Sequence, residues 1–309
     1  MLGGDYHGSI PYINRQSRKL MLYRQNLLLG AVLIIASELM FASMGACVKA
    51  LSTSLPNEMT VFLRNIFGLL LLSPLILHNR AELLQTEIFH LHLLRAIAGL
   101  SAMYCFFYAL GNLHLADGML LKMTSPLFMP LIAMFWLGEK ARRLTLMAIP
   151  VGFMGVALVL SPEGEFNWIA LIGLLGGAFA ALAKVTVRRL GHSEPSIRVI
   201  CYFALFATPV SAVPMLWAWQ TPTMHELGLA LLVGMFGATG QFMLTRGYAV
   251  ATASNVSPFT YFSVIFGATY GYLFWGETLS STFIAGALLI AVAGIMALRG
   301  GRIKVRPEL

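Results

Sequence analysis

The most informative segment of the chain is ADGMLLKMTSPLFMPLIAMFWLGEKARR, residues 116–143. It has the length and apolar character of a membrane-spanning helix, with Lys122 near one end and Pro126 and Pro130 in its middle. A charge inside a bilayer costs about 3 kcal/mol or more, and a proline removes a backbone hydrogen bond. Because both features are costly against lipid, we expect this helix to line a cavity or to pack inside a helical bundle.

Composition extends this interpretation to the whole chain. Of the 309 residues, 58% are hydrophobic and 11% are charged, whereas a soluble domain has about 25% charged residues. The apolar residues form long blocks that approach the ~20 residues needed to cross a bilayer, separated by short polar breaks. The sequence therefore predicts an all-α polytopic membrane protein with ten transmembrane helices. The predicted spans are residues 27–48, 59–77, 92–111, 117–137, 144–161, 167–187, 196–217, 227–246, 255–275 and 281–298.

Residue patterns of the first five spans recur in the last five, in the same order. We therefore predict two five-helix copies, residues 26–161 and 166–299. Because five is odd, the second copy enters the membrane from the opposite side, which is the inverted-repeat plan of many secondary transporters. The matched residues are Lys49 and Lys184, Pro126 and Pro258, Glu139 and Glu277, and Gly155 and Gly294.

The net charge of +8 does not indicate nucleic-acid binding, because the basic residues lie at the ends of apolar blocks and not on one domain. If the N-terminus is inside, the predicted inner segments hold most of the 21 lysines and arginines, as the positive-inside rule requires. Residues 1–25 and 300–309 are thus predicted to be cytoplasmic tails of a bacterial inner-membrane protein. The three cysteines are far apart and form no CxxC pair, so they predict neither disulfides nor a metal site.

The order and spacing of these residues resemble those of the drug/metabolite transporter superfamily, specifically of proteins with tandem EamA domains. The resemblance extends over residues 25–299, and one departure is that the second half has no arginine matching Arg64. It implies a ten-helix carrier that works by alternating access and commonly exports small metabolites. The resemblance rests on Lys49, Pro56, Arg64, residues 107–110, Ala116, residues 125–128 and 137–139, then Lys184, Ala249, residues 257–261 and 276–277.

Glu38 is the first candidate for a substrate site. It lies in the middle of the first span, on one helical face with Ala42, Gly45 and Lys49. A carboxylate at that depth is costly unless it is paired or protonated. Glu38 is therefore either a ligand for a substrate ammonium group or a proton-coupling site, or it forms a buried pair with Lys49 or Lys122 that only fixes helix packing.

Lys122 and Arg64 are candidate anchors for an anionic substrate. Lys122 shares a helical face with Ser125 and Pro126, and the proline favours a cavity-lining position over snorkelling to the interface. Arg64, in the outer third of the second span, is either such an anchor or a member of a structural ion pair. The other predicted substrate contacts are Tyr104, Tyr108, Gln241 and Tyr261.

Charged residues near the ends of spans have a different predicted role. Four of them are expected to snorkel or to pair at the interface, namely Lys49, Lys184, Arg95 and Arg246. Glu139 and Glu277 each follow a glycine at the end of a span, as hinges or as parts of a gate formed with neighbouring basic residues. The predicted gating or structural residues are Lys49, Lys184, Pro126, Pro258, Glu139 and Glu277.

Together these features predict a secondary-active transporter that exports or exchanges a small zwitterionic or anionic metabolite, such as an amino-acid derivative or an opine-like metallophore. A cationic cargo such as S-adenosylmethionine is the alternative, and it would make Glu38 the key residue. The rival classes are a membrane-embedded lipid-modifying enzyme and a non-transporting membrane subunit, although no HExxH, phosphate-loop or nucleophile-elbow motif occurs. We expect no enzymatic activity, no cofactor, no metal and no nucleic-acid partner. The expected partners are the metabolite, the lipid bilayer, and a proton or exchange substrate, with the protein a monomer or homodimer.

Overall fold

The computed structural model describes residues 27–78, 85–137, 143–160, 167–190, 193–251 and 256–300, so the predicted tails lie outside it except for Gly300. The described residues form twelve α-helices and one 3₁₀ helix and contain no β-strand, which confirms the predicted all-helical class. The 3₁₀ helix, Ser257–Tyr261, lies between the tenth and eleventh α-helices. The α-helices are α1 (Leu27–Leu51), α2 (Asn57–His78), α3 (Phe89–Asn112), α4 (Leu115–Lys122), α5 (Ser125–Leu137), α6 (Arg143–Leu160), α7 (Trp168–Leu190), α8 (Ser196–Ala212), α9 (Met215–Ala218), α10 (Met224–Val250), α11 (Phe262–Trp275) and α12 (Ser281–Gly300).

Five stretches of the described chain are long and apolar enough to cross a membrane. Each has at least 20 residues, which at 1.5 Å per residue gives the roughly 30 Å of a hydrocarbon core. Apolar parts of α6, α8 and α12 are shorter. The five stretches are Leu27–Leu51, Phe89–Asn112, Leu115–Trp136, Trp168–Val187 and Met224–Gly247.

The predicted span over residues 117–137 is interrupted, because α4 ends at Lys122 and α5 begins at Ser125. Pro126 has no N–H and disfavours helical geometry in the residue before it, which breaks the helix at this point. The two residues between the helices form a turn whose amides bond to carbonyl oxygens three residues back, at 2.9 and 3.1 Å. The break lies inside the bundle, where Thr124 and Ser125 are completely buried.

The second Ser-Pro pair has a similar local structure. Pro258 stands in the first turn of the 3₁₀ helix, and α11 continues from Phe262. A proline is tolerated there because the first amides of a helix have no partner within the helix. Both Ser-Pro pairs thus mark the start of a helical segment and not its interior.

Helix packing connects distant parts of the chain. The closest neighbours are α1 with α10, α3 with α7, and α6 with α12. In the last pair the backbones touch: a Cβ added to Gly155 would lie 2.7 Å from the carbonyl oxygen of Gly286. Small residues allow such close approach between membrane helices. Gly294, which the sequence matches with Gly155, packs instead against the ring of Tyr261.

Replacing Gly155 by alanine should destabilise the protein, because the added methyl group meets the backbone of α12, which cannot rotate away. We expect a loss of about 1–3 kcal/mol, as for other overpacked sites, seen as a lower midpoint of thermal unfolding in detergent. Gly228→Ala is the matched control, since nothing lies within 4 Å of a Cβ there. That variant should be neutral or gain up to about 1 kcal/mol of helix propensity. Equal midpoints for the two variants would contradict the close contact.

Candidate functional site

Glu38 is buried at the middle of α1. It is the twelfth of 25 residues in the helix, and 2% of its surface is exposed. Ile34 and Ala42, one turn before and after it, are completely buried. The helix therefore presents a carboxylate to the interior of the bundle, on the face that the sequence predicts.

Lys122, the last residue of α4, is the partner of Glu38. Its Nζ lies 3.6 Å from Oε2 of Glu38, 4.2 Å from the ring centroid of Phe41 and 5.8 Å from that of Phe106. A separation of 3.6 Å is too long for a hydrogen bond, and neither charged atom has another hydrogen-bonding partner among the described residues. Of the two structural alternatives for Glu38, pairing with Lys122 is the one observed. The pair keeps hydrogen-bonding capacity for a ligand.

A second lysine reaches the same region from α7. Nζ of Lys184 donates a 2.7 Å hydrogen bond to the hydroxyl of Ser125, the first residue of α5. Its charge lies within Coulombic range of both Glu38 and Lys122. We call these four residues the central cluster. Because one carboxylate faces two ammonium groups, the cluster is net positive when all three are ionised.

A separate ion pair lies at one end of the bundle, where α1 ends and α4 begins. Glu277 pairs with Lys49, and its Oε2 accepts a 2.8 Å hydrogen bond from the backbone N–H of Leu115. Lys49 also donates to the backbone oxygen of Leu113 at 2.7 Å. A carboxylate at a helix N-terminus satisfies an orphan N–H and complements the helix dipole. Glu277 therefore joins α1 to the start of α4.

The Gly-Glu pair in the second half has a conformational reason. Gly276 ends α11 with φ of 65°, a left-handed conformation that residues with a side chain rarely adopt. The amide of Glu277 then bonds back to the oxygen of Gly271 at 3.1 Å. This reversal is what directs Glu277 toward α1 and α4. Glu139, the matching residue, lies outside the described residues, and its gate with neighbouring arginines remains a prediction.

The remaining predicted substrate contacts are in different surroundings. The hydroxyl of Tyr104 is buried without a partner in the described chain, and Tyr108 lines a cleft of about 160 Å³. Tyr261 donates to the backbone oxygen of Ile290 at 3.1 Å and so attaches the 3₁₀ helix to α12. Gln241 is half-buried on α10. None of the four is hydrogen-bonded to the central cluster within the residues that the structure describes.

Two arginines also enter the bundle. Arg64 of α2 donates to Oδ1 of Asn65 at 3.1 Å, and the guanidinium of Arg95 on α3 lies 4.6 Å from the ring centroid of Phe203. The sequence predicts an interfacial position for Arg95 because it is close to the start of its helix. The structure differs, since side-chain direction is set by the neighbouring helices and not by sequence position.

An ionic cluster before α8 was missed by the sequence analysis. Glu194 pairs with Arg198 and accepts a 2.6 Å hydrogen bond from the hydroxyl of Thr86. Nε2 of His92 lies 3.8 Å from Oε1 of Glu194. Burial opposes ionisation of this carboxyl, but the hydrogen bonds and the Arg198 charge outweigh it and hold the pKa of Glu194 below its usual value. The cluster attaches the segment before α3 to the start of α8.

Comparison with known proteins matches two stretches of the chain, residues 28–161 and 167–299, to the EamA-like transporter family. The pseudopaline exporter CntI of Pseudomonas aeruginosa is 33% identical over 86% of this chain and 94% of its own length. The riboflavin transporter of Brucella anthropi is 26% identical, covering 80% and 89% of the two chains. The S-adenosylmethionine uptake transporter of Rickettsia bellii is also 26% identical, covering 79% and 84%.

One crystal structure of a protein has the same fold. It superimposes with a TM-score of 0.60 and covers 89% of this chain and 98% of its own, at 19% sequence identity. At that identity the likeness concerns the fold alone. The named relatives share transport of a small molecule, and by their names they differ in cargo.

Removing the carboxylate of Glu277 should cost more stability than removing the ammonium group of Lys49. Glu277→Ala leaves the N–H of Leu115 without its partner and leaves Lys49 only its bond to the backbone oxygen of Leu113. Lys49→Ala leaves the bond between Glu277 and Leu115 in place. We expect the free energy of unfolding to fall by about 3 kcal/mol in Glu277→Ala and by about 2 kcal/mol in Lys49→Ala. Thermal unfolding in detergent makes the measurement. His114→Ala removes an exposed neighbour and serves as the control. Equal costs for the first two variants would refute the capping role.

Proposed function

This chain belongs to the EamA-like transporter family, and we propose that it exports a small anionic or zwitterionic metabolite across a bacterial inner membrane. The central cluster carries this proposal, because it places three ionisable groups inside an apolar bundle. Such groups are costly within a membrane protein and mark substrate or ion pathways. A purely structural ion pair would be expected to close to hydrogen-bonding distance, whereas Glu38 and Lys122 remain 3.6 Å apart.

The balance of charge favours a cargo with negative charge. A cargo carboxylate would accept hydrogen bonds from Lys122 and Lys184, and a cargo ammonium group would bind Glu38. A zwitterion with both groups would satisfy the whole cluster. The Rickettsia relative is named as a transporter of S-adenosylmethionine, whose sulfonium group is cationic. In this chain a cationic cargo would meet two repelling ammonium groups and only one attracting carboxylate. The outward direction is proposed by analogy with the pseudopaline exporter.

We propose ten spans in two inverted halves, residues 26–161 and 166–299. In this assignment α4 and α5 form one span, as do α8 with α9 and the 3₁₀ helix with α11. Each span of the first half then corresponds to the span five places later. α1 and α10 are then the first and eighth spans, and their equivalents are the sixth and third spans, α7 and α3, which also pack together. The contact of α6 with α12 joins the fifth and tenth spans, which are equivalent to each other. This symmetry of packing and the two family matches support the proposal.

Alternating access would move the two halves about the cargo. The contact of Lys49 with Glu277 lies on the side that the positive-inside rule assigns to the periplasm. Opening that side requires Glu277 to leave Lys49 and the start of α4. We assign the equivalent role on the cytoplasmic side to Lys184 and Glu139.

Lys122→Ala should stop export without preventing folding, because it removes a cargo anchor while the charge of Lys184 stays within Coulombic range of Glu38. We expect one metabolite to accumulate in the medium of cells that express the wild type. With Lys122→Ala its concentration in the medium should be lower by about tenfold or more. Mass spectrometry of the medium at matched membrane levels makes the measurement. Arg246→Ala removes an exposed cation of α10 and should export as the wild type does.

Glu38→Gln separates the classes of cargo in the same assay. Neutralising this carboxylate should weaken export of a zwitterion and spare a purely anionic cargo. An exported cation that Glu38→Gln abolishes would contradict the proposed charge class. Unchanged export by both Lys122→Ala and Glu38→Gln would remove the central cluster from the transport pathway.

A further inference from the structure

Arg64 and Arg95 direct their guanidinium groups away from the nearer helix ends. Arg64 lies seven residues after the start of α2 and Arg95 six residues after the start of α3, about 10 Å and 9 Å along the axes. Helical side chains tilt toward the N-terminus, and snorkelling would draw both arginines the same way. Instead, Nη1 of Arg95 lies against Gly99, one turn further on, and Nη1 of Arg64 is 3.9 Å from a Cβ built on Gly68.

The two arginines therefore lean toward each other. The side chain of Asn57, at the start of α2, donates to the backbone oxygen of Tyr104, late in α3, at 3.1 Å, so the helices run antiparallel. Side chains that lean toward the C-termini of antiparallel helices converge on the middle of the bundle. Arg64 and Arg95 are within Coulombic range of each other. Two like charges that approach in an apolar bundle raise its energy, and packing alone does not account for that arrangement.

The surroundings make room for these groups but supply few partners. Gly99 has no space for a side chain, and a Cβ on Gly237 of α10 would be 3.4 Å from Nε of Arg64. Nε and Nη1 of Arg95 are buried and have no hydrogen-bonding partner among the described residues. Within the same residues, neither arginine forms an ion pair with a carboxylate. The unused donors and the uncompensated charge point to an anionic ligand.

This arginine pair adjoins the central cluster. Lys122 lies over the ring of Phe41, and that ring packs 3.1 Å from a Cβ built on Gly240 of α10. One turn away, Met44 and Arg64 both pack against Gly237 of the same helix. The two sites are thus three residues apart along both α1 and α10, which corresponds to about 4.5 Å of axial rise.

We propose that Arg64 and Arg95 form a second anion-binding subsite, and that the cargo is a compact di- or tricarboxylate whose carboxylates occupy this subsite and the central cluster together. The inference rests on the proposed function and narrows its substrate class. A carboxylate between the two guanidinium groups neutralises their repulsion and accepts hydrogen bonds from Nε and Nη1 of Arg95. The planar guanidinium matches a carboxylate through two parallel hydrogen bonds, which a lysine does not provide.

Binding can be tested without transport, on the purified full-length protein in detergent. The probes are citrate, succinate and acetate at equal ionic strength, and the readout is the midpoint of thermal unfolding. We expect citrate and succinate to raise the midpoint of the wild type more than acetate does. Arg64→Gln and Arg95→Gln should each raise the citrate concentration needed for the same shift of the midpoint by about tenfold or more.

Two further variants separate a ligand site from a structural one. Gly99→Ala keeps the charge of Arg95 but displaces its guanidinium, and it should weaken the citrate response as Arg95→Gln does. Arg246→Gln removes an arginine that also lies on a phenylalanine ring but is exposed, and it should have no effect. Without any anion, Arg95→Gln should unfold at the wild-type midpoint or above it, because a repulsive charge is gone. A lower midpoint together with an unchanged citrate response would assign Arg95 a structural role and overturn the proposal.

The export assay distinguishes failure of this inference from failure of the proposed function. If Lys122→Ala stops export while Arg95→Gln exports normally and binds citrate normally, the proposed function stands and the arginine subsite is overturned. If Arg64→Gln and Arg95→Gln weaken citrate binding but the wild type exports nothing, the subsite stands and export is wrong. A wild type that responds to none of the polycarboxylates overturns the subsite.

Discussion

The carboxylate of Glu277 meets the ammonium group of Lys49 and the backbone N–H of Leu115 at one point, and much of the bundle depends on this contact. α4 has only eight residues, because Pro126 forces a new helix soon after it begins. A helix of that length is not stable unless it packs against its neighbours. By capping its first amide and tying it to α1, Glu277 fixes the position of α4. Lys122, at the other end of α4, is held opposite Glu38 as a result.

The interior of the bundle holds more positive than negative charge. In the central cluster two lysines face one carboxylate, and the two arginines add charge without an acidic partner in the described chain. Burial makes each unpaired charge costly. These unpaired charges store energetic strain, and under the proposed function an anionic ligand would relieve it. Under the same proposal the excess positive charge would disfavour cationic ligands without any steric selection.

Some of this arrangement could be predicted from the sequence and some could not. Apolar block length predicts the all-helical class, and proline chemistry predicts where the helix after residue 116 is disturbed. The burial of Glu38 follows from its position, but choosing Lys122 over Lys49 as its partner requires the rotation of α4 against α1. The partner of Glu277 is 228 residues away, and the inward direction of Arg95 depends on Gly99 and Phe203. Hydropathy carries no information on such tertiary contacts. The ten-span count, the repeat boundaries and the role of Glu139 stay predictions.

The backbone contact between α6 and α12 bears on how a protein of this kind diverges over evolutionary time. At Gly155 and Gly286 any larger residue would meet the opposite backbone, so these two positions do not tolerate substitution. Neither helix contributes a residue to the central cluster or to the arginine pair, which lie on α1, α2, α3, α4, α5 and α7. Exchanges among those interior side chains can therefore accumulate without disturbing the α6–α12 junction. If the interior charged residues select the cargo as proposed, a lineage can keep one scaffold and acquire new cargoes, because selectivity and architecture then depend on different residues.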